Sequence, residues 1–263
     1  MKSLVVAFGL LLASASAAYP ELTASNLKEV GLRPIPEARV PIETHWTDES
    51  GKSISLGQAM AGRPTILIFA DYTCTTLCGP ILSFVESALA NSQLASSDYR
   101  LVVLGIDSKD GPSEAAAMRR ERIGSQIVAS STLFLTADDD TIRRTAHALG
   151  YQFAYDAARD QFAHPAAALV LSPDGHLTRV LSGLGISGND FRLALVEAGQ
   201  GRIGTLGDQV RLLCYGFDPT AGAYTVSILR TLEFTSALSV IVIAFGIAWL
   251  SRRPRTHRPD CSS

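Results

Sequence analysis

Apolar runs with strand composition alternate with runs of helical period along the middle of this chain, and this alternation constrains the fold more than any other feature. The strand candidates are residues 65–70, 100–106 and 132–136, and the helix candidates are residues 80–90, 113–123 and 141–149. Strands and helices that alternate in this way form βαβ units. The pattern therefore predicts an α/β domain built around a mainly parallel sheet.

A hairpin pattern follows the last of these units. Residues 167–171 and 176–181 have strand composition and flank Ser172-Pro173-Asp174-Gly175, which has the composition of a tight turn. A helix is expected at 189–198, and an earlier hairpin is expected at 45–56 around Glu49-Ser50-Gly51. With the βαβ units, the late hairpin predicts a thioredoxin-like α/β domain over residues 45–200.

Two cysteines lie at the junction between the first strand and the first helix of this pattern. Cys74 and Cys78 follow the run 65–70 and precede the helix expected at 80–90. A helix N-terminus favours the thiolate, which is both the nucleophilic form and the metal-binding form of cysteine. Three residues separate the pair, one more than in thioredoxin-type redox sites. A redox pair, a metal site and a structural disulfide all remain open from the pair alone.

A metal site would need a third ligand, and His164 is the strongest candidate. It lies in the loop before the late hairpin, and in a thioredoxin-like domain that loop faces the cysteine loop; Pro165 follows it directly. Two thiolates and one imidazole suit copper, although zinc is chemically compatible with the same ligands.

Other groups with metal-binding side chains have simpler interpretations. His45, His147 and His176 are expected to be structural or exposed. The carboxylates of residues 138–140 are expected to cap the N-terminus of a helix rather than to bind a hard cation. Cys214 has no obvious partner, so a buried thiol is expected, with an accessory role as the alternative.

Both ends of the chain have the character of targeting or membrane segments. Residues 1–18 combine an early lysine, a short apolar run and small residues, which is typical of a secretory signal peptide. Residues 232–250 are apolar over the length that a membrane helix needs, and four arginines follow in the tail 251–263. The positive-inside rule places that tail in the cytoplasm and the folded domain on the periplasmic face of a bacterial cytoplasmic membrane.

The remaining segments connect these parts. Residues 19–44 are rich in proline and charge and are expected to form an N-terminal arm, and residues 201–231 a connector that leads to the membrane. The net charge is −2, and no basic stripe occurs outside the tail, so no nucleic-acid partner is expected. Cys261 falls in the cytoplasmic tail, so the four cysteines do not indicate two disulfides.

The chain resembles the Sco/SenC family, whose members are copper-binding, thioredoxin-like factors in cytochrome oxidase assembly. The matching segments cover roughly residues 45–185: Cys74-Thr75-Thr76-Leu77-Cys78, Gly105-Ile106-Asp107, Phe162-Ala163-His164 and Ser172-Pro173-Asp174-Gly175. Residues 212–219, with an apolar helix after them, resemble a bacterial subgroup that carries its anchor at the C-terminus.

This resemblance implies that Cys74, Cys78 and His164 bind copper. It also implies that the partner is the cytochrome c oxidase subunit with the dinuclear copper centre. A thiol-disulfide oxidoreductase that reduces cysteines of the same partner is the alternative. A peroxidase shares the fold class, but no convincing peroxide-binding arrangement surrounds either cysteine.

Overall fold

The computed structural model of the 263-residue chain describes residues 30–33, 35–74, 78–182, 186–200, 205, 208, 212, 215–218, 223–226 and 228–251. The strands, in chain order, are β1 (Gly31–Leu32), β2 (His45–Asp48), β3 (Ser53–Ser55), β4 (Thr65–Ala70), β5 (Arg100–Gly105), β6 (Thr132–Thr136), β7 (Tyr151–Gln152), β8 (Ala154–Asp156), β9 (Gln161–Ala163), β10 (Ala167–Leu171), β11 (Leu177–Ser182), β12 (Tyr215–Asp218) and β13 (Ala223–Val226). The helices are α1 (Leu56–Met60), α2 (Cys78–Ala90), α3 (Pro112–Arg122), α4 (Gln126–Ala129), α5 (Asp139–Ala148), α6 (Gly188–Ala198) and α7 (Ile228–Ser251).

Seven strands form the central sheet, in the order β11-β10-β4-β5-β6-β2-β3. The pairs β4·β5 and β5·β6 are parallel, as the alternation of strands and helices predicts. The expectation of a mainly parallel sheet is wrong for the sheet as a whole, because both hairpins add antiparallel neighbours on the outer sides of this centre. The two hairpins themselves are confirmed.

The central strands are buried on both faces, which explains why they have continuous apolar sequences. All six residues of β4 are buried. Its alternate side chains Ile66 and Ile68 pack in a core cluster with residues of α2, α3, α4 and α6. Leu67 and Phe69 point to the opposite face and pack with residues of α1 and α5. The strand that leads to the cysteine loop is therefore fixed from both sides.

Helix α2 begins at Cys78, two residues earlier than the sequence predicts. Pro80 then lies in the first helical turn, where the missing backbone N–H costs little because the first N–H groups of a helix have no intrahelical partner. At α5 the predicted capping role of the carboxylates is confirmed, because the Asp138 side chain accepts a hydrogen bond from the Thr141 backbone N–H at 2.8 Å.

Part of the expected N-terminal arm packs on the domain. Strand β1 pairs with β7, and Arg39 forms an isolated bridge with His176. Ala38 and Val40 are buried in the same core cluster as Phe69. The described residues from 30 to 44 are therefore in contact with the domain, which the proline-rich and charged composition of the arm does not predict.

Three short strands between α5 and β10 have no counterpart among the sequence predictions. Strand β7 pairs with β1, while β8 and β9 form a separate two-stranded sheet. This hairpin leads directly to His164, so its position decides where the imidazole lies.

The last described element is α7. Side chains of this helix are described for residues 236–248, a shorter stretch than the membrane segment expected at 232–250. Among the described residues, no helix has the combination of length and apolarity needed to cross a membrane. The expected signal peptide 1–18, the tail 252–263, Cys214 and Cys261 lie outside the described residues.

Candidate metal site

The cysteine loop, residues 71–74, follows β4 at the carboxyl end of the central strands. Cys74 is buried, with 9% of its surface exposed, and its backbone N–H donates to the carbonyl oxygen of Asp71 at 3.3 Å. Cys78 is the first residue of α2, although the sequence predicts that it precedes the helix, and its side chain lies outside the described part of the chain. The backbone thus places the second cysteine at a helix N-terminus, where a thiolate is favoured.

Tyr72 anchors this loop to the sheet. Its buried hydroxyl lies 2.9 Å from the carbonyl oxygen of Val103 and 2.8 Å from that of Leu135, and it accepts a hydrogen bond from the Leu135 N–H at 3.1 Å. Burial raises the pKa of Tyr72 well above its usual value, so the hydroxyl stays protonated. A Cβ on Gly105 would lie 3.0 Å from the Tyr72 ring, which explains the glycine at that position.

Two buried carboxylates hold the backbone of the cysteine loop. Asp71 is fully buried, and one of its oxygens accepts hydrogen bonds from the N–H and the hydroxyl of Thr73, both at 3.0 Å. Its other oxygen accepts from the N–H of Phe162 in β9 at 3.4 Å. Asp110 accepts from the Tyr72 N–H at 3.0 Å. Asp71 therefore connects the cysteine loop to the strand that precedes His164.

His164 lies in the loop between β9 and β10 and is partly buried. Its Nδ1 is 2.9 Å from the Tyr151 hydroxyl and 3.3 Å from the Pro165 carbonyl oxygen. The hydroxyl itself donates to that carbonyl oxygen at 2.7 Å. When the single hydroxyl proton of Tyr151 is donated to this carbonyl oxygen, the hydroxyl accepts from Nδ1–H, and the lone pair of the neutral ring is then on Nε2.

Burial also lowers the pKa of His164, because it disfavours the charged imidazolium; the Pro165 carbonyl and the charge of Asp71 act in the opposite direction. A neutral ring with its lone pair on Nε2 is the form that ligates a metal. The described residues include no cis peptide bond, so the His164–Pro165 bond is trans.

The other histidines lie elsewhere. His45 and His147 are exposed, and His176 lies 3.5 Å from Asp174 at the turn before β11. These positions agree with the structural or exposed roles expected for them. Within the described side chains, which exclude that of Cys78, no group of three His, Cys, Asp or Glu residues is arranged to hold a metal ion. The predicted triad of Cys74, Cys78 and His164 therefore stays a prediction.

Sequence reasoning missed four residues that build this site. These residues hold the candidate ligands or the loops that carry them, yet each is an ordinary residue in its local sequence: Tyr151, Asp71, Tyr72 and Asp110. A signal was present only for Asp71, since a carboxylate that directly follows a buried central strand needs hydrogen-bond donors nearby.

Comparison with known proteins identifies the fold. No family model and no curated protein sequence matches the chain. A solved candidate electron transfer protein from Aquifex aeolicus VF5 is 20% identical, with a TM-score of 0.56 over 63% of this chain and 95% of that one. BsSco, described as a member of the Sco family of cytochrome c oxidase assembly proteins with a disulfide switch, is 17% identical (TM-score 0.52, 65% of this chain and 99% of that one). Arabidopsis thaliana ScoI, solved with copper bound, is 16% identical (TM-score 0.51, 60% and 98%). The chain therefore has the thioredoxin-like fold of these proteins.

Proposed function

We propose that this chain is a copper metallochaperone of the Sco/SenC type. Its cargo is a copper ion held by Cys74, Cys78 and His164, and its client is the cytochrome c oxidase subunit that houses the dinuclear copper centre. The fold shared with copper-bound ScoI and with the assembly factor BsSco supports this proposal.

The state of His164 is the observation that carries the proposal. A histidine ligates a metal as a neutral ring through one nitrogen, while a hydrogen-bond partner on the other nitrogen fixes the orientation of the ring. Here Tyr151 and Pro165 engage Nδ1, which favours the neutral form with its lone pair on Nε2. Partners of this kind, on the nitrogen that does not ligate the metal, are usual for metal-binding histidines.

The donor set fits copper. Thiolates are soft ligands that select copper, and imidazole is suitable for copper as well as zinc. Because thiols lose their protons on binding, copper loading would release protons and would require the reduced cysteine pair. Cys78 at the start of α2 and the buried Cys74 would supply the sulfurs.

Residues 232–250 would anchor the protein in the bacterial cytoplasmic membrane, with the domain on the periplasmic face and the tail in the cytoplasm. Seven large apolar side chains of α7 support this proposal, because each is at least 60% exposed: Leu238, Val240, Ile241, Val242, Ile243, Phe245 and Ile247. A membrane-impermeant thiol reagent should label Cys261 in inverted vesicles and leave it unlabelled in intact spheroplasts. Labelling of Cys261 in spheroplasts would contradict this orientation.

Copper titration of the reduced full chain tests the main proposal. We expect about one copper per chain for the wild type and a loss of binding for His164→Ala. His147→Ala is the matched control, because this exposed histidine lies on α5 outside the site, and its copper binding should equal that of the wild type. Absence of copper binding by the reduced wild-type protein would refute the proposal.

A thiol-disulfide oxidoreductase is the second candidate, favoured by the position of Cys78 at a helix N-terminus. Cys74 and Cys78 would transfer two electrons and two protons to a client disulfide, which is reduced to two thiols while a Cys74–Cys78 disulfide forms. In this case His164→Ala should keep its reductase activity on a model disulfide, whereas Cys74→Ser and Cys78→Ser should each lose it. The two functions are compatible, because a client must be reduced before copper can be loaded.

A further inference from the structure

The segment that carries His164 is not part of the central sheet. Strands β8 and β9 pair only with each other among the described strands, and His164 follows β9 directly. No ladder of backbone hydrogen bonds in the described structure fixes this hairpin against β4 and the cysteine loop. Its distance from the cysteines therefore depends on individual contacts.

Polar contacts of two kinds connect the hairpin to the loops at the carboxyl ends of β4 and β5. At the surface, Lys109 forms an ion pair with Asp160 at 2.7 Å and donates to the Tyr155 hydroxyl at 3.4 Å, but Lys109 and Asp160 are more than 60% exposed and Tyr155 is 41% exposed, so solvent weakens these contacts. The other contact is the hydrogen bond from the Phe162 N–H to the fully buried carboxylate of Asp71. Because its acceptor is fully buried, solvent weakens this 3.4 Å hydrogen bond less than it weakens the exposed pair.

The carboxylate of Asp71 does more than form a local turn. Its Oδ1 accepts from Thr73 two residues later, and an asparagine at this position could make the same turn without burying a charge. Only Oδ2 reaches the hairpin. In the described structure no ion pair includes Asp71, so its buried charge is compensated there by these hydrogen-bond donors.

We propose that Asp71 is a positioning residue that holds β9, and with it His164, against the cysteine loop. This inference rests on the proposed copper-binding function. This contact keeps His164 and the cysteine loop in the same relative position before copper binds.

The test compares Asp71→Asn with Thr73→Val in the full chain. Asparagine can keep the turn to Thr73 through its oxygen, but its NH2 group then opposes the Phe162 N–H, and two donors repel. Valine removes the hydroxyl bond to the same carboxylate and leaves the contact with Phe162. Chelator competition should show copper affinity about tenfold lower for Asp71→Asn, as expected for an outer-shell contact, and an unchanged affinity for Thr73→Val.

A spectroscopic measurement separates positioning from general stability. The thiolate-to-copper charge-transfer band of the Cu(II) form should shift in Asp71→Asn and stay at the wild-type energy in Thr73→Val, even if both variants unfold at lower temperature. Wild-type affinity and spectrum in Asp71→Asn would overturn the proposal, as would equal changes in both variants.

Amide hydrogen exchange of the copper-free wild type provides a test that needs no variant. The Phe162 amide should exchange more slowly than solvent-exposed amides of the same hairpin, because its acceptor is buried. Rapid exchange of this amide would overturn the positioning role, whether or not copper binds. Failure of the wild type to bind copper would instead refute the proposed function, so the two failures are distinguishable.

Discussion

The hydroxyl of Tyr151 lies 2.9 Å from Nδ1 of His164, and it donates its proton to the carbonyl oxygen of the next residue, Pro165. One side chain from β7 thus contacts both the imidazole and the backbone that follows it. Tyr151 is itself 2% exposed and packs on Phe69 of β4, with ring centroids 4.4 Å apart. The imidazole is therefore oriented by the core below the cysteine loop.

Removal of this hydroxyl should weaken copper binding without unfolding the protein. In Tyr151→Phe the ring packing remains, while Nδ1 loses the Tyr151 hydroxyl and keeps the longer contact with Pro165 at 3.3 Å. We expect copper affinity about tenfold lower, at the low end of the range for partners of metal-binding histidines. Competition with a copper chelator measures this change in copper affinity. Tyr155→Phe is the control, since this partly exposed tyrosine bonds to Asp160, and its affinity should not change.

Sequence patterns predicted the parts of this fold that depend on local composition. The buried strand before Cys74 and the hairpin around Ser172-Pro173-Asp174-Gly175 have strong signals, an apolar run in one case and turn residues in the other. Cys74 and His164 are candidate ligands because few other residue types bind soft metals, and this prediction stays a prediction. Helix α2 was predicted, although its first residue was placed too late because Pro80 was taken as its beginning.

The contacts that arrange the site could not be predicted in this way. Tyr151 is 13 positions from His164, and Asp71 is 91 positions from Phe162, so their pairing depends on how the hairpin β8–β9 folds back. Those two strands have three residues each and mixed burial, too short for a clear period of two. Tertiary contacts rather than local propensity determine their position.

Gly188 should be intolerant of even one added methyl group. It is the first residue of α6, and a Cβ there would lie 2.7 Å from the carbonyl oxygen of Ala88 and 3.0 Å from the carbonyl carbon of Asn91. These are backbone atoms at the end of α2, so the helices must separate. We expect Gly188→Ala to lower the free energy of unfolding by about 1–3 kcal/mol. Gly124→Ala, with no atom within 4 Å of the added carbon, should stay within about 0.5 kcal/mol of the wild type in urea unfolding.

Arg192 is expected to be the most important arginine for stability among the ion pairs of the described residues. Its guanidinium binds both carboxylate oxygens of Asp208 at 2.7 Å and donates to the backbone oxygens of Ser92 and Gln93. The two side chains are only 13% and 4% exposed. The guanidinium holds the pKa of Asp208 well below its usual range, so the pair stabilises the fold at neutral pH, and that contribution is lost on strong acidification.

Arg192→Ala leaves a buried carboxylate without its cation and should cost about 3 kcal/mol at pH 7. Arg144→Ala is the control, because its pair with Asp140 is 60% and 78% exposed and should contribute less than about 1 kcal/mol. Chemical denaturation of both variants measures the difference. Similar losses in the two variants would contradict the importance given to the buried pair.

Asp110 makes the stability of the cysteine loop depend on pH. Burial is the main cause that raises the pKa of this carboxyl to about 6, and the charges of Asp71, Asp107 and Glu114 act in the same direction. The Tyr72 N–H, which donates to it, lowers the pKa. Since the usual value is 3.8, the folded protein binds more protons than the unfolded chain between pH 3.8 and about 6. The contribution of Asp110 to stability is therefore complete below this window and is lost as the pH rises through it.

Asp110→Asn should remove this dependence, because asparagine is neutral at every pH and its oxygen can still accept from the Tyr72 N–H. Urea unfolding from about pH 4 to about pH 7 should show the variant gaining stability relative to the wild type as the pH rises. Asp138→Asn should show little change relative to the wild type over this range, since hydrogen bonds with Thr141 lower the pKa of Asp138 and its charged form contributes fully above the usual value of 3.8. A difference between Asp110→Asn and the wild type that is constant over this range would show that burial of Asp110 does not couple the cysteine loop to pH.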